Sequence, residues 1–469
     1  MQQDVQMGWR IRQLRRTRHL TQTQLAEAVG ISSSYLNLIE HNRRKVTVPL
    51  LFSLAGYFGV EIGDLAEGND ASLLGDLMEA LGDNVFVGSE ITNLEARDLA
   101  VTNPGAAKAM LHLYNRYREL AAAAPARPPT EELSVHSATE LISDFIQSSS
   151  NYFDALETAA ERVRRDIDNA GSNFDSGLEA YLGNVYGIQV ELGSLPQNTA
   201  LVRKGERGKL IVSEILPAET ARFLIARELG TMTAAVEIDR IIDASDLPEG
   251  EAHLLARNTL AAYFAAALIM PYERFLTACR DTRYDLERLA RRFGVSFEQV
   301  CHRATTLQRP GQSGIPLHLV RTDVAGNISK RFSLSGIHIP RHSGACPRWN
   351  IYSAFHNPEE INVQISQSTD GQRYFCIART VSKGSRRHGA IKRYLSIGLG
   401  CSIVHARQMV YSDGIDLENE AQVVAVGTNC RICPRLECEH RAYPPAEHRF
   451  GFNEETRPVS IYARITPGR

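Results

Sequence analysis

The sequence predicts a chain of separate domains: a small all-α module at the N-terminus, then two larger α+β domains. Three observations predict it. The 469 residues correspond to about three domains at roughly 150 residues each. Positive charge gathers at one end: residues 1–45 hold eight Lys or Arg against three Asp or Glu, a local +5, so the rest of a chain with net charge −2 carries −7. All eight cysteines fall at or after Cys279. Hydrophobic content of 43% and charged content of 23% describe folded domains, not a disordered chain. Near-neutrality excludes a generally sticky basic protein. The longest apolar run, residues 260–270, has 11 residues, short of the ~20 that cross a bilayer, and no apolar segment follows the N-terminal arginines. A cytoplasmic protein without a membrane partner is expected. The expected domains are 1–67, 68–130, 131–312 and 313–469.

Residues 8–18 read as a helix, with Ile11 and Leu14 spaced to face a core. Thr21 with Gln24 has the form of a capping box, opening a second helix that Gly30 ends. Ser32 caps a third helix at 33–41, with Leu36 and Ile39 inward. This leaves Ser33, Ser34, Asn37, Asn42 and Arg43 outward. Pro49 begins a fourth helix, which Gly59 stops. Two helices joined by a short glycine turn, the second with an exposed polar face, make a helix-turn-helix. Residues Thr21-Gln22-Thr23-Gln24-Leu25-Ala26, Gly30-Ile31-Ser32 and Leu36-Asn37-Leu38-Ile39-Glu40 resemble the lambda-repressor-like family of DNA-binding domains over residues 8–66. The resemblance implies that the helix from Ser33 lies in the major groove of a double-stranded DNA operator and that Gln22 touches a phosphate. The candidate DNA contacts are Gln22, Ser33, Ser34, Asn37, Asn42 and Arg43. Amide and hydroxyl groups can read base edges, whereas arginines mostly position the protein on the backbone. Glu40 is expected to be structural, since phosphates repel an anion.

Residues 68–120 read as amphipathic helices around Leu73, Leu74, Leu77, Met78 and Leu81, then Met110, Leu111, Leu113 and Tyr114, broken at Asn103-Pro104-Gly105. Residues 121–130 are a linker by composition. The apolar face suits either a dimer seam or packing on the chain's own body. Helix-turn-helix proteins usually pair, so a homodimer is expected.

In residues 131–312, a helix is expected over 144–167 and strands over 186–192 and 201–214, the second broken by a turn at 205–208. The segment Arg227-Glu228-Leu229-Gly230-Thr231 sits where a zinc peptidase has H-E-x-x-H. That pattern sets two His one turn apart on a helix to hold zinc, while the Glu activates water. Here Arg227 and Thr231 take both His positions. With Tyr263-Phe264-Ala265-Ala266-Ala267-Leu268-Ile269-Met270-Pro271 and Phe293-Gly294-Val295-Ser296, the segment resembles the regulatory metallopeptidase-like family of radiation-response and anti-repressor proteins. The resemblance implies a third, acidic ligand near Leu260, also missing. Arg, Thr and Leu are not a zinc ligand set, so no enzyme activity is expected. An emptied groove would be a concave ligand site, with Arg227 and Tyr263 as candidate contacts.

In residues 313–469, 318–321 and 374–378 have strand character. Cys430, Cys433 and Cys438 place three thiols within nine residues, close enough to converge on one metal centre. Thiolates suit an iron–sulfur cluster or zinc. Cys401, in a glycine-flanked stretch read as a turn, is the leading fourth thiolate; Cys346 is the runner-up, and His440 could complete a Cys3His zinc site. Spacing does not choose between them. Cys279, Cys301 and Cys376 are expected to be buried core residues.

The three parts together, with Cys346-Pro347-Arg348-Trp349 and Cys430-Arg431-Ile432-Cys433, resemble the short-chain fatty acyl regulators of bacteria over nearly the whole chain. The implied fold is an all-α lambda-repressor-like helix-turn-helix, then an α+β metallopeptidase-like domain, then an α+β Cys-rich domain. The implied function is transcriptional control of propionate or acetate assimilation genes, with acyl-CoA as effector and, in some members, an iron–sulfur cluster. Acyl-CoA needs cations for its phosphates. Lys383, Arg386, Arg387, Lys392 and Arg393 supply a dense basic run, with Arg203, Lys204, Arg207 and Lys209 as a second set. Two other readings are an iron–sulfur or redox sensor with no acyl-CoA input, and an active zinc peptidase.

Overall fold

The computed structural model describes residues 8–444, apart from 19, 41–43, 45, 60–69, 87–90, 124–130, 197–198, 206–207, 342–343, 384–388 and 390–391. The N-terminal module is four helices: α1 (Gly8–Thr17), α2 (Gln22–Ala28), α3 (Ser33–Glu40) and α4 (Val48–Phe58). The Thr21–Gln24 capping box forms in both directions. Gly30 turns the chain between α2 and α3 at φ +72, a conformation that costs glycine nothing. Ser32 Oγ accepts from the Tyr35 N–H at 3.1 Å, and Gly59 closes α4 in the left-handed region. Ile11, Leu25, Leu36, Ile39 and Leu54 are fully buried together, so the spacing of apolar residues read from the sequence is the core that forms.

The connector folds as α5 (Asp70–Leu81), α6 (Asn93–Thr102) and α7 (Pro104–Ala123). Asn103 interrupts the helices, and Pro104 opens α7, where a missing N–H does no harm. Leu77, Ala96, Ala100 and Ala107 form a small core of their own. The far side of α5 docks on the C-terminal domain, where Arg341 bonds Asp76 and Glu79. The connector therefore packs on its own body.

The middle domain contains α8 (Glu131–Ser148), α9 (Asp154–Ala170), α10 (Phe174–Tyr181), α11 (Ala218–Thr233), α12 (Ala235–Asp243), α13 (Glu251–Ile269), α14 (Tyr272–Asp281), α15 (Leu286–Phe293) and α16 (Phe297–Thr305). The continuous helix expected over 144–167 is broken into α8 and α9. Ser150 and Asn151 turn the chain at positive φ, and the Asn151 amide is held by Thr305 Oγ1 at 2.9 Å. Local periodicity did not reveal this, because a tertiary hydrogen bond sustains the break. β1 (Gln189–Gly193) runs parallel to β3 (Lys209–Ser213), which pairs antiparallel with β2 (Leu201–Lys204). α13 is the one helix among the described residues long and apolar enough to cross a bilayer. Here it is the central helix, with Leu260, Phe264 and Leu268 fully buried.

The C-terminal domain is a six-stranded sheet in the order β5-β4-β8-β7-β6-β9. Its strands are β4 (Leu317–Asp323), β5 (Ile328–Ser333), β6 (Asn362–Gln367), β7 (Arg373–Lys383), β8 (Arg393–Ser402) and β9 (Val423–Ala425), and a short α17 (Asn350–Ser353) precedes β6. One apolar core runs through both domains, joining Leu260 and Phe264 to Phe375, Ile377 and Leu399. Gln147 on α8 pairs with the edge of β5, giving and taking one hydrogen bond with the Ser333 backbone. The two domains are thus packed against each other through a shared core and this pair of hydrogen bonds.

Candidate functional site

In the N-terminal module, Ser33, Ser34 and Asn37 are exposed on α3. Glu40 is buried in a bidentate pair with Arg15, Nε to Oε1 at 2.6 Å and Nη2 to Oε2 at 2.9 Å, as its expected structural role requires. Gln22 is half-buried. Its Nε2 donates to Glu40 Oε2 at 2.8 Å and Asn37 Oδ1 at 3.3 Å, so it cross-links α2 to α3 and fixes the angle at which α3 is presented. Asn42 and Arg43 lie outside the described residues. Arg44, missed in the sequence, is exposed beside them and stacks over Tyr35 at 5.7 Å. Replacing Asn37 by alanine should cost about 1–3 kcal/mol of operator affinity and leave binding to random DNA unchanged, because an amide reads base edges. Fluorescence anisotropy with both DNAs checks this.

At the peptidase-like position the acid is paired with an arginine. Glu228 Oε1 lies 3.4 Å from the Arg203 guanidinium of β2. Thr231 Oγ1 donates to the Glu228 carbonyl at 2.7 Å, Leu260 is fully buried, and Arg227 is half-buried. Gly230 brings α11 against α13: a Cβ there would stand 2.8 Å from the Phe264 ring. These residues do not fit zinc, since no set of lone-pair donors converges. Tyr263 does not face this groove. Its hydroxyl donates to Glu157 Oε1 at 2.7 Å and accepts from the Phe153 N–H at 3.3 Å. Glu157 in turn holds Arg303 through two bonds of 2.5 and 2.9 Å, with both side chains fully buried. Burial first, and then the Glu157 charge, push the Tyr263 hydroxyl well above its ordinary pKa, so it remains a donor. Periodicity placed Tyr263 on an apolar helix; its polar partners come from the start of α9, more than a hundred residues away.

The cysteines assemble differently from the leading expectation. Cys401 is not in a turn. It lies in β8, in the middle of the sheet, fully buried, with Sγ 3.9 Å from Met409 Sδ. Cys346, the runner-up, is the one beside the 427–433 loop. Its N–H donates to Thr428 O at 2.9 Å, and the Trp349 indole donates to Gly427 O at 3.2 Å, which pins the 346–349 turn beside the 427–433 loop. Burial raises the Cys346 thiol; the Gly427 and Arg348 N–H groups donate to it and oppose that rise, while Cys430 and Cys433 are near enough to add to it. Cys433 is also raised by burial, with the Arg435 N–H donating to it and Cys438 close by. The Ala442 N–H reaches Cys430 Sγ at 3.4 Å. Three of the four sulfurs thus receive backbone N–H groups, which suits thiolate ligands. Arg441, unnoticed in the sequence, is buried and clamps the loop by donating to the carbonyls of Cys433 at 2.8 Å and Arg435 at 2.9 Å. His440 is exposed. Cys279, Cys301 and Cys376 are buried, as expected. Cys430 also lines an open cleft whose other wall is the connector, at Tyr114 and Arg118.

The basic run divides. Lys383 Nζ is 2.6 Å from Glu298 Oε2, and the same carboxylate holds Arg321 at 2.8 Å. Burial works against the charge on Glu298, but His302 and Lys383 hold its carboxyl far below the usual range. Lys383 is therefore committed to a structural pair. Lys392 and Arg393 are exposed; Arg386 and Arg387 lie outside the described residues. In the second set, Arg203 and Lys209 are paired with Glu228 and Glu191, Lys204 is exposed, and Arg207 lies outside the described residues.

With α3 presented on a rigid four-helix frame, the chain is a transcriptional regulator of the helix-turn-helix class. Residues 11–65 match the helix-turn-helix family, 184–305 the IrrE N-terminal-like domain, and 306–462 the short-chain fatty acyl coenzyme A regulator, C-terminal. The chain is 37% identical to the propionyl-CoA carboxylase regulator of Cereibacter sphaeroides, over 98% of this chain and 99% of that protein. It is 36% identical to the HTH-type transcriptional regulator RamB of Mycobacterium tuberculosis, over 97% and 98% respectively. A solved Mycobacterium tuberculosis transcriptional regulator superposes with a TM-score of 0.66 at 36% identity, covering 70% of this chain and 99% of the other. The chain belongs to the short-chain fatty acyl coenzyme A regulator family.

Proposed function

We propose that this chain is a cytoplasmic transcription factor of propionate or acetate assimilation genes, which grips its operator as a homodimer and changes that grip when a short-chain acyl-CoA binds. The carrying observation is that one chain joins an α3 helix with exposed Ser33, Ser34 and Asn37 to a body related, over nearly its whole length, to a propionyl-CoA carboxylase regulator. Among the described residues of the two basic sets, Lys204, Lys392 and Arg393 are exposed cations open to the phosphates. The Arg203–Glu228 pair supports a body without hydrolytic activity.

Cys346, Cys430, Cys433 and Cys438 are the proposed ligands of an iron–sulfur cluster, which would supply redox or oxygen sensitivity when bound. A second reading, redox input alone, is favoured by Cys430 lining the cleft shared with the connector.

The test is an operator selected from random DNA by the chain itself, then titrated at fixed salt with and without propionyl-CoA and acetyl-CoA. The proposal expects one of the thioesters to shift the midpoint by about 5–150-fold. No shift with either, together with a shift on oxidation, would establish the second reading.

A further inference from the structure

Where α5 meets the C-terminal domain, a polar cluster joins the DNA side of the chain to the sensor side. Asp76 and Glu79 stand three residues apart on α5 and so share a face. Arg341 bonds both: Nε to Asp76 Oδ1 at 2.9 Å, and its backbone N–H to Glu79 Oε2 at 2.8 Å. Its Nη1 holds Asp144 of α8 at 2.8 Å. His338 lies against the helix opposite Gly75, where a Cβ would overlap the imidazole ring.

Arg341 engages both carboxylates, but the Nε2 of the histidine is left without a partner. His338 Nε2 is shielded from solvent and has no hydrogen-bond partner. Glu79 Oε2, at 3.9 Å, is beyond hydrogen-bond reach. A buried polar atom left in this state costs about 1–3 kcal/mol. The ligating atoms of Asp76, Glu79 and His338 all lie within 4.8 Å of one another. Two ligand atoms each ~2.1 Å from one ion stand about 3–3.5 Å apart, so a closure of a few tenths of an ångström brings Glu79 and His338 onto a common centre. A carboxylate can accept from an arginine and ligate an ion at once, with the arginine orienting it.

We propose that Asp76, Glu79 and His338 bind a first-row divalent cation, which fastens the connector helix α5 to the sensor domain. One imidazole and two carboxylates suit the manganese-to-zinc series, and the ion would complete its shell with water. The charges agree. Asp76, Glu79 and Asp144 supply three negative charges against two positive ones from Arg341 and Arg331, whose Nη2 lies 3.7 Å from Asp144. The site is separate from the thiols and owes nothing to the acyl-CoA reading.

Manganese(II) tests it, because oxygen and nitrogen ligands take this ion readily and thiolates do not select it. The full-length chain is titrated with Mn2+ while the free-ion paramagnetic resonance signal is followed. One ion per chain is expected, bound at least ~10-fold more weakly in His338→Gln and equally well in Cys430→Ser. No manganese bound by the parent chain, binding unchanged in folded His338→Gln, or binding lost in Cys430→Ser would each overturn the proposal. Circular dichroism checks folding. If His338→Gln does not fold, Asp76→Asn replaces it with the same two outcomes.

Discussion

Cys346→Ser, purified without oxygen, should be colourless, with iron and sulfide near background, whereas Cys401→Ala should keep both. The first change removes a thiolate from a turn pinned by Trp349 and Thr428 against the 427–433 loop, and loss of a direct ligand costs at least ~10-fold in metal affinity. The second removes a sulfur from the centre of the sheet, against Met409, and should cost only about 1 kcal/mol of stability. Metal and sulfide analysis of both variants reads the result. Loss of metal from Cys401→Ala with full retention in Cys346→Ser would reverse the ligand assignment. Zinc without sulfide in the parent chain would keep the four thiols and change the ion.

Arg303→Met should be the most destabilising single change in the middle domain, at about 3–5 kcal/mol. It strands Glu157 in a fully buried position beside Tyr263, and it removes the donors to Met270 O at 2.9 Å and Thr306 Oγ1 at 2.8 Å. An uncompensated buried carboxylate accounts for most of the cost, so the double variant Arg303→Met/Glu157→Leu should regain much of it. Urea unfolding of the parent, the single and the double variant measures this. A loss under about 1 kcal/mol in the single variant would mean that the pair does not hold α9 to α16.

What the residues disclosed, and what they withheld, follows from distance along the chain. The helix-turn-helix was legible because its determinants are local: Thr21 with Gln24, Gly30, and Leu36 with Ile39 all act within one or two turns. The peptidase-like segment was legible as a spacing with the wrong residues in it, and the structure adds the partner of its acid, Arg203 arriving from β2. Cys401 misled because two neighbouring glycines suggest a turn, yet they sit in β8. Gly398 and Gly400 are needed there for close approach: a Cβ at either would meet Ile351 or His318. Cys346 was legible through its Cys-Pro-Arg-Trp context but not its partner loop, 81 residues on. The Glu157–Arg303 pair and the Asp76–Glu79–His338 cluster carry no pattern in one dimension, because each joins segments separated by well over a hundred residues.

The central claim is that one molecule links acyl-CoA to DNA, and linkage is reciprocal. Calorimetric titration of propionyl-CoA into the chain, free and then saturated with its selected operator, tests it most directly. The thioester's affinity should differ between the two states by the same factor as that by which the thioester alters operator affinity. Equal affinity in both states, or no heat and no binding in either, would contradict the account.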